Sequence, residues 1–171
     1  MPRVRTIELA TRPVSAAAFA PFGRLPADEG TPGDTADLEF RWNDGHLNYI
    51  AHTWEEIAHG RRGALCDLLN RHDTHTQALM PVNADAIVVV APGQADFSLP
   101  EHFEAVAAFL VRRYECFVLD VGTWHWGPFP IEEGGTIRLL NAQGRGYAKD
   151  NGIAWLARDH GVQYEVVIPG A

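Results

Sequence analysis

Short apolar segments alternate with turn-forming residues along most of this chain. The segments are rich in β-branched and aromatic residues, and Gly, Pro, Asn or Asp separates them. In chain order, the strand-like runs cover residues 3–11, 38–42, 47–51, 64–69, 76–80, 87–91, 117–119, 137–140 and 164–168. Many short strands at close spacing are typical of β-sandwiches and β-barrels. The pattern therefore predicts a mainly β fold.

One segment has the apolar spacing of a helix instead. A capping box begins at Ser98 and ends at Glu101. Apolar side chains then recur at helical spacing, at Phe103, Val106, Ala107 and Leu110. We expect a helix near residues 100–112, and a lone amphipathic helix among strands would cover one side of a barrel. Residues 53–59 are expected to form another short helical turn.

Composition limits the class of protein. The 171 residues are 46% hydrophobic and 21% charged, which is enough to bury the core of one domain spanning residues 1–171. The net charge of -8 and the single lysine, Lys149, exclude a nucleic-acid surface, because such surfaces need clustered cations. No apolar run approaches the roughly 20 residues that cross a bilayer. Two distant cysteines, Cys66 and Cys116, fit a reducing compartment, so we expect a cytoplasmic protein that does not bind membranes.

The first chemical motif is the segment 71–77, with the sequence Arg-His-Asp-Thr-His-Thr-Gln. Strand alternation would place His75 and Gln77 on one face, and a turn of the chain after His72 would bring that residue toward them. The alternative is a row of polar residues on a solvated strand. Both interpretations stay open for this segment on its own.

The second motif, residues 120–128, places His125 between Trp124 and Trp126 in a turn bounded by glycines. Two aromatic rings would lower the local dielectric and hold the imidazole in place, as a general acid or base or a metal ligand requires. The alternative is an aromatic core patch with one hydrogen-bonded histidine. Asp120 would either orient His125 or cap the turn. A folded barrel would bring both motifs into one pocket.

Four cations are candidates for binding an anionic substrate. A small carboxylate needs at least one guanidinium or ammonium group as its partner. The candidates are Arg71, Arg138, Arg145 and Lys149. The sequence leaves open which of them is used.

Three longer segments share a known pattern. They are Arg-His-x-x-x-Thr-Gln-Ala-Leu-Met-Pro-Val from residue 71, Ile-Val-Val-Val-Ala-Pro from residue 87, and Gly-Thr-Trp-His-x-x-Pro from residue 122. In order and spacing they resemble the ureidoglycolate lyase family, and residues 19–23 (Phe-Ala-Pro-Phe-Gly) also fit. The resemblance implies a cupin-like β-barrel of the jelly-roll type and a homodimer. It also implies a carbon–nitrogen lyase of the amidine-lyase type, which cleaves ureidoglycolate to glyoxylate and urea in purine (allantoin) catabolism.

The resemblance also suggests where a metal would bind. The general cupin ligand pattern falls on Asn70, His72 and Gln77 in the first motif and on His125 in the second. Neutral amide oxygens bind transition metals less strongly than imidazole or carboxylate, and His75 would substitute for them only in part. At most we expect a weakly bound divalent ion such as nickel, with His72, His75, Gln77 and His125 as candidate ligands.

This chain departs from the family pattern at four positions. Where the family often has His-Arg-Gly-Thr-Trp-His-His, this chain has Asp120 at the start and Trp126 at the end. It also has Ala51 where the family tends to have arginine and Asn70 where the family tends to have glutamate. A second imidazole and a cation are thus missing, which affects the inference of substrate more than the inference of fold.

The lyase reaction needs a base and an acid. The base takes the hydroxyl proton as the carbonyl forms, and the acid protonates the departing nitrogen. We assign these roles to His72 and His125, with Asp120 as the catalytic residue that steers His125.

Four further residues are candidates for binding the substrate. They are Gln77, Arg71, Trp124 and Trp126, of which Gln77 would bind the ureido or carboxylate group and a tryptophan would keep water out. Two other functions stay open. One is a related cupin enzyme that acts on another small carboxylate, and the other is a non-catalytic cupin that binds a small molecule.

Overall fold

A computed structural model describes residues 4–34 and 37–168 of the chain. Within these residues the chain forms short strands joined by turns and a few helical segments. In chain order, the strands are β1 (Arg5–Pro13), β2 (Gly23–Arg24), β3 (Gly45–Thr53), β4 (Ala58–His59), β5 (Ala64–Cys66), β6 (Leu69–Arg71), β7 (Gln77–Pro81), β8 (Ala86–Ala91), β9 (Ala107–Val111), β10 (Phe117–Leu119), β11 (Trp124–Pro130), β12 (Thr136–Gly144), β13 (Gly152–Ala154) and β14 (Val162–Val167). The α-helices are α1 (Ala16–Phe19) and α2 (Leu156–His160), and the 3-10 helices are Trp54–Glu56, Pro100–Ala105 and Arg145–Ala148.

The strands form two sheets. The larger has nine strands in the order β13-β6-β11-β8-β9-β1-β14-β5-β4, and the smaller has five in the order β2-β10-β7-β12-β3. Strand β1 pairs in parallel with both β9 and β14, whereas the other pairings within the sheets are antiparallel. This arrangement confirms the prediction of a mainly β fold with a few short helices.

Strand β8 lies at the centre of the hydrophobic core. Each of its six residues is buried, because both faces of the large sheet are covered at this point. Successive side chains of a strand point to opposite faces. Val88 therefore packs with Phe109 and Leu139 in a cluster that joins the two sheets. Val89 packs in a second cluster with Tyr164.

The two sheets face each other across the candidate site. Strand β11 lies between β6 and β8 in the large sheet, and His125 on β11 is directly opposite Asn70 on β6. Strands β7, β12 and β3 form one side of the small sheet. The first motif joins β6 to β7 and the second enters β11, so both motifs lie beside the space between the two sheets.

The predicted helix near residues 100–112 is wrong beyond residue 105. Pro100–Ala105 is a 3-10 helix, but Ala107–Val111 is strand β9, which pairs with both β8 and β1. Ser98 does not cap a helix, because its hydroxyl donates to the carboxylate of Asp96 at 2.7 Å. A short apolar run such as Ala-Ala-Phe-Leu-Val fits either periodicity, and pairing with two neighbouring strands decides the outcome.

Other predicted elements are confirmed or corrected in part. Trp54–Glu56 confirms the short helical turn expected within residues 53–59. The strand predicted at 38–42 is wrong, since Phe40 makes only an isolated bridge to His75. The run at 64–69 divides into β5 and β6, and of the run at 3–11, residue 3 lies outside the described residues. In the part of the chain that the structure describes, no helix is long and apolar enough to span a membrane.

Candidate active site

A cavity of about 820 Å³ lies between the two sheets. This volume falls within the roughly 300–1,000 Å³ that is typical of small-molecule sites. Five of the residues singled out in the sequence line it: Asn70, His72, Gln77, His125 and Trp126. The other candidate site residues, Arg71, His75, Asp120 and Trp124, do not line it.

The structure brings His72 and His125 together from the two motifs. His125 belongs to β11, and His72 directly follows β6, which pairs with β11. The centroids of the two rings are 5.3 Å apart, and both side chains are buried. The pairing of β6 with β11 thus accounts for the approach of two segments that are distant in the sequence.

Hydrogen bonds fix the tautomer of both rings. Nδ1 of His72 lies 2.7 Å from the carbonyl oxygen of Asp150, and Nδ1 of His125 lies 3.1 Å from that of Thr123. A carbonyl oxygen only accepts hydrogen bonds, so each Nδ1 must carry the proton and donate it. In the neutral form of each ring, the lone pair is therefore on Nε2, which can act as a base.

Burial keeps His125 neutral near pH 7. Burial and the neighbouring His72 lower the pKa of His125 to about 4, although the hydrogen bond to Thr123 opposes this shift. An imidazole buried among other imidazoles cannot gain a second proton without losing solvation and meeting like charge. Near pH 7, His125 is thus in its neutral form, with the lone pair of Nε2 available to a ligand.

His75 stacks on the other face of this cluster. Its ring centroid is 4.7 Å from that of His72, and it does not line the large cavity. Burial and then His72 lower the pKa of His75, and the carboxylate of Asp150, 3.7 Å from its Nδ1, opposes the shift. Its Nε2 is buried without a hydrogen-bond partner among the described residues.

A small void of about 10 Å³ lies beside the large cavity. Such a void holds about one water-sized group. His72, Gln77 and His125 line both spaces, whereas His75 and Asp120 line only the void. The void therefore adjoins the cavity along the side chains of His72, Gln77 and His125.

A chain of amide groups holds Gln77. Its Nε2 donates to Oδ1 of Asn141 at 2.9 Å, and Nδ2 of Asn141 donates to Oδ1 of Asn48 at 2.8 Å. The three residues lie on β7, β12 and β3, the adjacent strands of the small sheet. Oε1 of Gln77 is left buried without a partner among the described residues. The amide of Gln77 is thus held in one orientation, with Oε1 free to accept a hydrogen bond.

The predicted steering of His125 by Asp120 is wrong. Oδ1 of Asp120 instead accepts hydrogen bonds from Arg24, with Nη2 at 2.9 Å. The carbonyl oxygen of Thr123 occupies Nδ1 of His125. Asp120 lies beside Arg24 because β2, which contains Arg24, pairs with β10, and β10 ends directly before the second motif.

Arg71 and Trp124 lie outside the cavity. Arg71 donates to the carboxylate of Asp73 and to the carbonyl of Gly93, and its guanidinium lies 4.9 Å from the centre of the Trp124 ring. Nε1 of Trp124 donates to the carbonyl of Ala95 at 3.2 Å. Neither residue is placed to bind a ligand of the cavity, so their predicted substrate-binding role loses its geometric basis.

The walls of the cavity are acidic. Glu56 and Asp67 line it, whereas no arginine or lysine among the described residues does so. Of the four predicted cations, Arg138 stacks on Tyr49 at 3.8 Å on the strand pair β12 and β3. Arg145 belongs to the 3-10 helix whose last residues, 147 and 148, line the cavity, and Lys149 follows that helix. Arg71 lies between two cavity-lining residues, Asn70 and His72, but its guanidinium binds Asp73 and Gly93. Of the other three cations, Arg145 and Lys149 are the nearest in sequence to residues that line the cavity.

The candidate metal ligands suit a divalent ion in their chemistry but not in their placement. Three imidazoles and an amide oxygen are chemically able to bind such an ion. However, no group of three His, Cys, Asp or Glu side chains within residues 4–34 and 37–168 is placed to hold one. A weakly bound divalent ion stays a prediction.

Asp150 has a structural role at the site that the sequence motifs do not predict. Its carboxylate accepts hydrogen bonds from the backbone N–H of Asp73 at 3.0 Å and of Thr74 at 2.8 Å, and from the hydroxyl of Thr74. Burial alone would raise the pKa of Asp150, but the hydrogen bonds from Thr74 and Asp73 outweigh it and the pKa is lowered. The residue ties the first motif to the segment after the 3-10 helix Arg145–Ala148. Its partners are far away in the sequence, so no local signal marks it.

Comparison with known proteins identifies one matching family. The model of the family described as ureidoglycolate lyase matches residues 56–156. None of the curated proteins matches the chain. Two solved structures are similar to it at 14% identity and a TM-score of 0.40: an oxalate oxidase in complex with the substrate analogue glycolate, and a recombinant oxalate oxidase in complex with glycolate. Each similarity covers 76% of this chain, which spans 59% of the length of those proteins.

Proposed function

Because the chain belongs to the ureidoglycolate lyase family, we propose that it is a carbon–nitrogen lyase acting on a small ureido hydroxy acid. The proposed products are glyoxylate and urea. The observation that supports the proposal most directly is the pair of buried rings of His72 and His125 at the wall of one cavity. Both use Nδ1 for a backbone carbonyl, which leaves Nε2 for the substrate.

The proposed reaction moves one proton from oxygen to nitrogen. Nε2 of His125 accepts the proton of the substrate hydroxyl, the carbonyl of glyoxylate forms, and the carbon–nitrogen bond breaks. In this proposal His72 starts the turnover with a proton on both ring nitrogens. It donates the proton of Nε2 to the departing nitrogen, which leaves as urea, and keeps the proton of Nδ1 on the carbonyl of Asp150. Return of the proton from His125 to His72 restores both rings for the next turnover. Trp126 and Phe129, which line the cavity, exclude water from these steps.

We assign the carboxylate of the substrate to the cations that follow β12. Arg145 and Lys149 border the segment 147–148 of the cavity wall, and both side chains are exposed. A carboxylate held there would leave the ureido group to the amides of the small sheet. The acidic residues Glu56 and Asp67 lie in the lining as well, so the cations are needed to offset repulsion of an anion.

One assay tests the proposal. Purified protein is mixed with racemic ureidoglycolate, with added nickel, with a chelator, or with neither, and glyoxylate and urea are both measured. We expect both products in equal amounts. Absence of both under every condition would overturn the proposed function. Activity that is present only with nickel would show that a metal takes part.

The acidic lining favours a second candidate function, the binding of an uncharged small molecule without turnover. Glu56 and Asp67 are compatible with a neutral amide or ureide as ligand. A ligand that binds only the folded state raises the melting temperature. Thermal stabilisation by a neutral ureide, together with no product from ureidoglycolate, would favour this candidate over the lyase.

A further inference from the structure

We propose that the small void beside the cavity is a subsite for the terminal NH₂ of a ureido or carboxamide group. This inference rests on the proposed function in so far as ureidoglycolate is the substrate. It concerns binding alone and is tested with a ligand that cannot react. The void is lined by His72, His75, Gln77 and His125 among others, and its volume of about 10 Å³ suits one non-hydrogen atom with its hydrogens.

Two buried acceptors without partners belong to the walls of this void. They are Oε1 of Gln77 and Nε2 of His75, and both residues are more than nine-tenths buried. A buried polar atom without a hydrogen bond destabilises the protein, so the structure favours a guest that satisfies both atoms. Two acceptors call for a group with two N–H bonds.

The orientation of Gln77 follows from the small sheet. Its Nε2 is committed to Asn141, whose own amide donates to Asn48. Asn141 is fully buried and is directly paired with Asn48 between β12 and β3. Because each amide has one donor end and one acceptor end, this chain leaves Gln77 with its oxygen as the unused group.

The orientation of His75 follows from Thr74 and Asp150. The hydroxyl of Thr74 donates to Asp150, so its oxygen faces Nδ1 of His75, 3.4 Å away, as an acceptor. The carboxylate of Asp150 is a second acceptor on the same side, at 3.7 Å from Nδ1. The proton of the neutral ring is therefore on Nδ1, and Nε2 has a lone pair to offer.

The chemistry of the guest follows from these two atoms. A ureido NH₂ donates two hydrogen bonds, whereas a methyl group of the same size donates none. A carboxylate oxygen would meet two acceptors and be repelled. The subsite thus explains how the site would distinguish the ureido end of a substrate from its carboxylate end, which Arg145 and Lys149 are proposed to bind.

A pair of matched ligands tests the subsite. Ureidoacetate is ureidoglycolate without its hydroxyl group, so it cannot undergo the lyase reaction. Levulinate has the same shape and charge but carries CH₃ and CH₂ in place of NH₂ and NH. Titration calorimetry on the full chain is expected to show ureidoacetate binding at least about tenfold more tightly than levulinate. A ratio below about twofold in the unaltered protein would overturn the proposal, and this measurement needs no variant.

Two variants test whether Gln77 causes the preference for ureidoacetate over levulinate. Gln77→Met removes the acceptor with little change in volume, and we expect the preference for ureidoacetate to fall to within about twofold. Gln163→Met is the matched control, because the amide of Gln163 donates to Thr6 on the opposite part of the large sheet. The control should keep the preference of the unaltered protein. A Gln77→Met protein that is folded by circular dichroism and keeps the full preference would overturn the assignment.

The titrations and the product assay together distinguish a failure of the subsite from a failure of the lyase function. If ureidoacetate is preferred but ureidoglycolate is not cleaved, the subsite stands and the proposed lyase function fails. If ureidoglycolate is cleaved but the ratio is near one, the subsite fails and the lyase function stands. We expect a chelator to leave the affinity for ureidoacetate unchanged. Loss of binding on chelation, restored by nickel, would show that a metal ion occupies the void and would overturn the proposal.

Discussion

At the scale of single residues, three imidazoles share one small volume. His72 lies between His75 and His125, with ring centroids 4.7 and 5.3 Å away. The lowered pKa values of His75 and His125 mean that these two rings are neutral near pH 7. In the proposed reaction His125 takes one proton from the substrate and His72 gives one to it, so the net charge of the three imidazoles does not change.

Replacing His125 tests its role directly. His125→Asn keeps a polar side chain but removes the base, and we expect turnover of ureidoglycolate to fall by about a hundredfold or more. The exposed His160 provides a matched control, since His160→Asn should retain normal turnover. Full activity in the His125→Asn protein would remove this residue from the mechanism.

Burial of His125 also makes stability depend on pH. In the unfolded chain this imidazole gains a proton as the pH falls through its ordinary pKa of 6.5, whereas in the folded protein it stays neutral down to about pH 4. The unfolded state therefore binds more protons in this window, and stability is lost as the pH falls from 6.5 to 4. The loss is on the order of 3 kcal/mol, since one unit of pKa corresponds to roughly 1.4 kcal/mol.

Urea unfolding at a series of pH values measures this contribution. The free energy of unfolding should fall less steeply between pH 6.5 and 4 in His125→Asn than in the unaltered protein. The His160→Asn protein should follow the unaltered protein. Identical slopes for all three proteins would contradict the assignment of a lowered pKa to His125.

Asp150 positions the first motif rather than touching the substrate. Its carboxylate holds Asp73 and Thr74, and its backbone carbonyl holds Nδ1 of His72. Asp150→Ala should release this segment and lower kcat/KM by about tenfold, because misplacing a reacting group is costly in rate. The ¹⁵N shifts of His72 should show a mixture of tautomers, a readout that general destabilisation does not produce. Asp159→Ala removes an exposed carboxylate and should change neither quantity.

The sequence motifs identify some site residues but not others. His72, Gln77, His125 and Trp126 lie in recognisable segments and do line the cavity. Asp150 and Asn141 have no motif of their own, and each acts through a partner more than 60 positions away. The prediction for Asp120 is wrong because sequence neighbourhood to His125 suggests a contact that Arg24, from a different strand, makes instead.

Among the secondary-structure elements, pairing between strands decides the conformation of segments whose local sequence favours a helix or a turn. The apolar residues of β9 fit a helix, yet they complete a sheet between β8 and β1. The glycines and Pro128 that flank His125 predict a turn, but this segment forms β11, which pairs with β8 across an irregular register between Trp126 and Phe129. Strands with regular alternation and short turns, such as β7 and β10, lie close to their predicted bounds.

Mutation can measure how much Phe109 on β9 contributes to the stability of the hydrophobic core. Phe109 is fully buried and contacts the rings of Phe19 and Phe22 edge to face. Phe109→Ala should lower the free energy of unfolding by roughly 3–5 kcal/mol, the usual loss for a buried aromatic side chain. Leu99→Ala, at a side chain that is 41% exposed just before the 3-10 helix, should lower it by far less. Urea unfolding measures both, and equal losses would contradict the placement of Phe109 in the core.

At the scale of the whole molecule, one edge of the small sheet is open and apolar. Strand β3 has a neighbour on one side only within the described residues, and its Leu47 and Tyr49 are 68% and 53% exposed. Long apolar edge strands tend to pair with other chains. The homodimer expected from the family resemblance is therefore expected to use this edge.

Light scattering after gel filtration tests that expectation. The unaltered protein should have twice the 18.9 kDa mass of one chain. Leu47→Lys combined with Tyr49→Lys should halve the measured mass without changing the circular dichroism spectrum, because added charge disfavours edge pairing. Tyr114→Lys, at a tyrosine elsewhere that is 61% exposed, should leave the dimer intact. A monomeric unaltered protein would contradict the prediction.

The position of β14 between β1 and β5 has a consequence for synthesis on the ribosome. Arg5 on β1 pairs with Val162 on β14, so β1 cannot form this pairing until the long segment between the two strands has been translated. Until then β1 and β5 both present unsatisfied backbone groups to other nascent chains. We expect the yield of soluble protein to depend on β14 more than on any residue of the catalytic cluster.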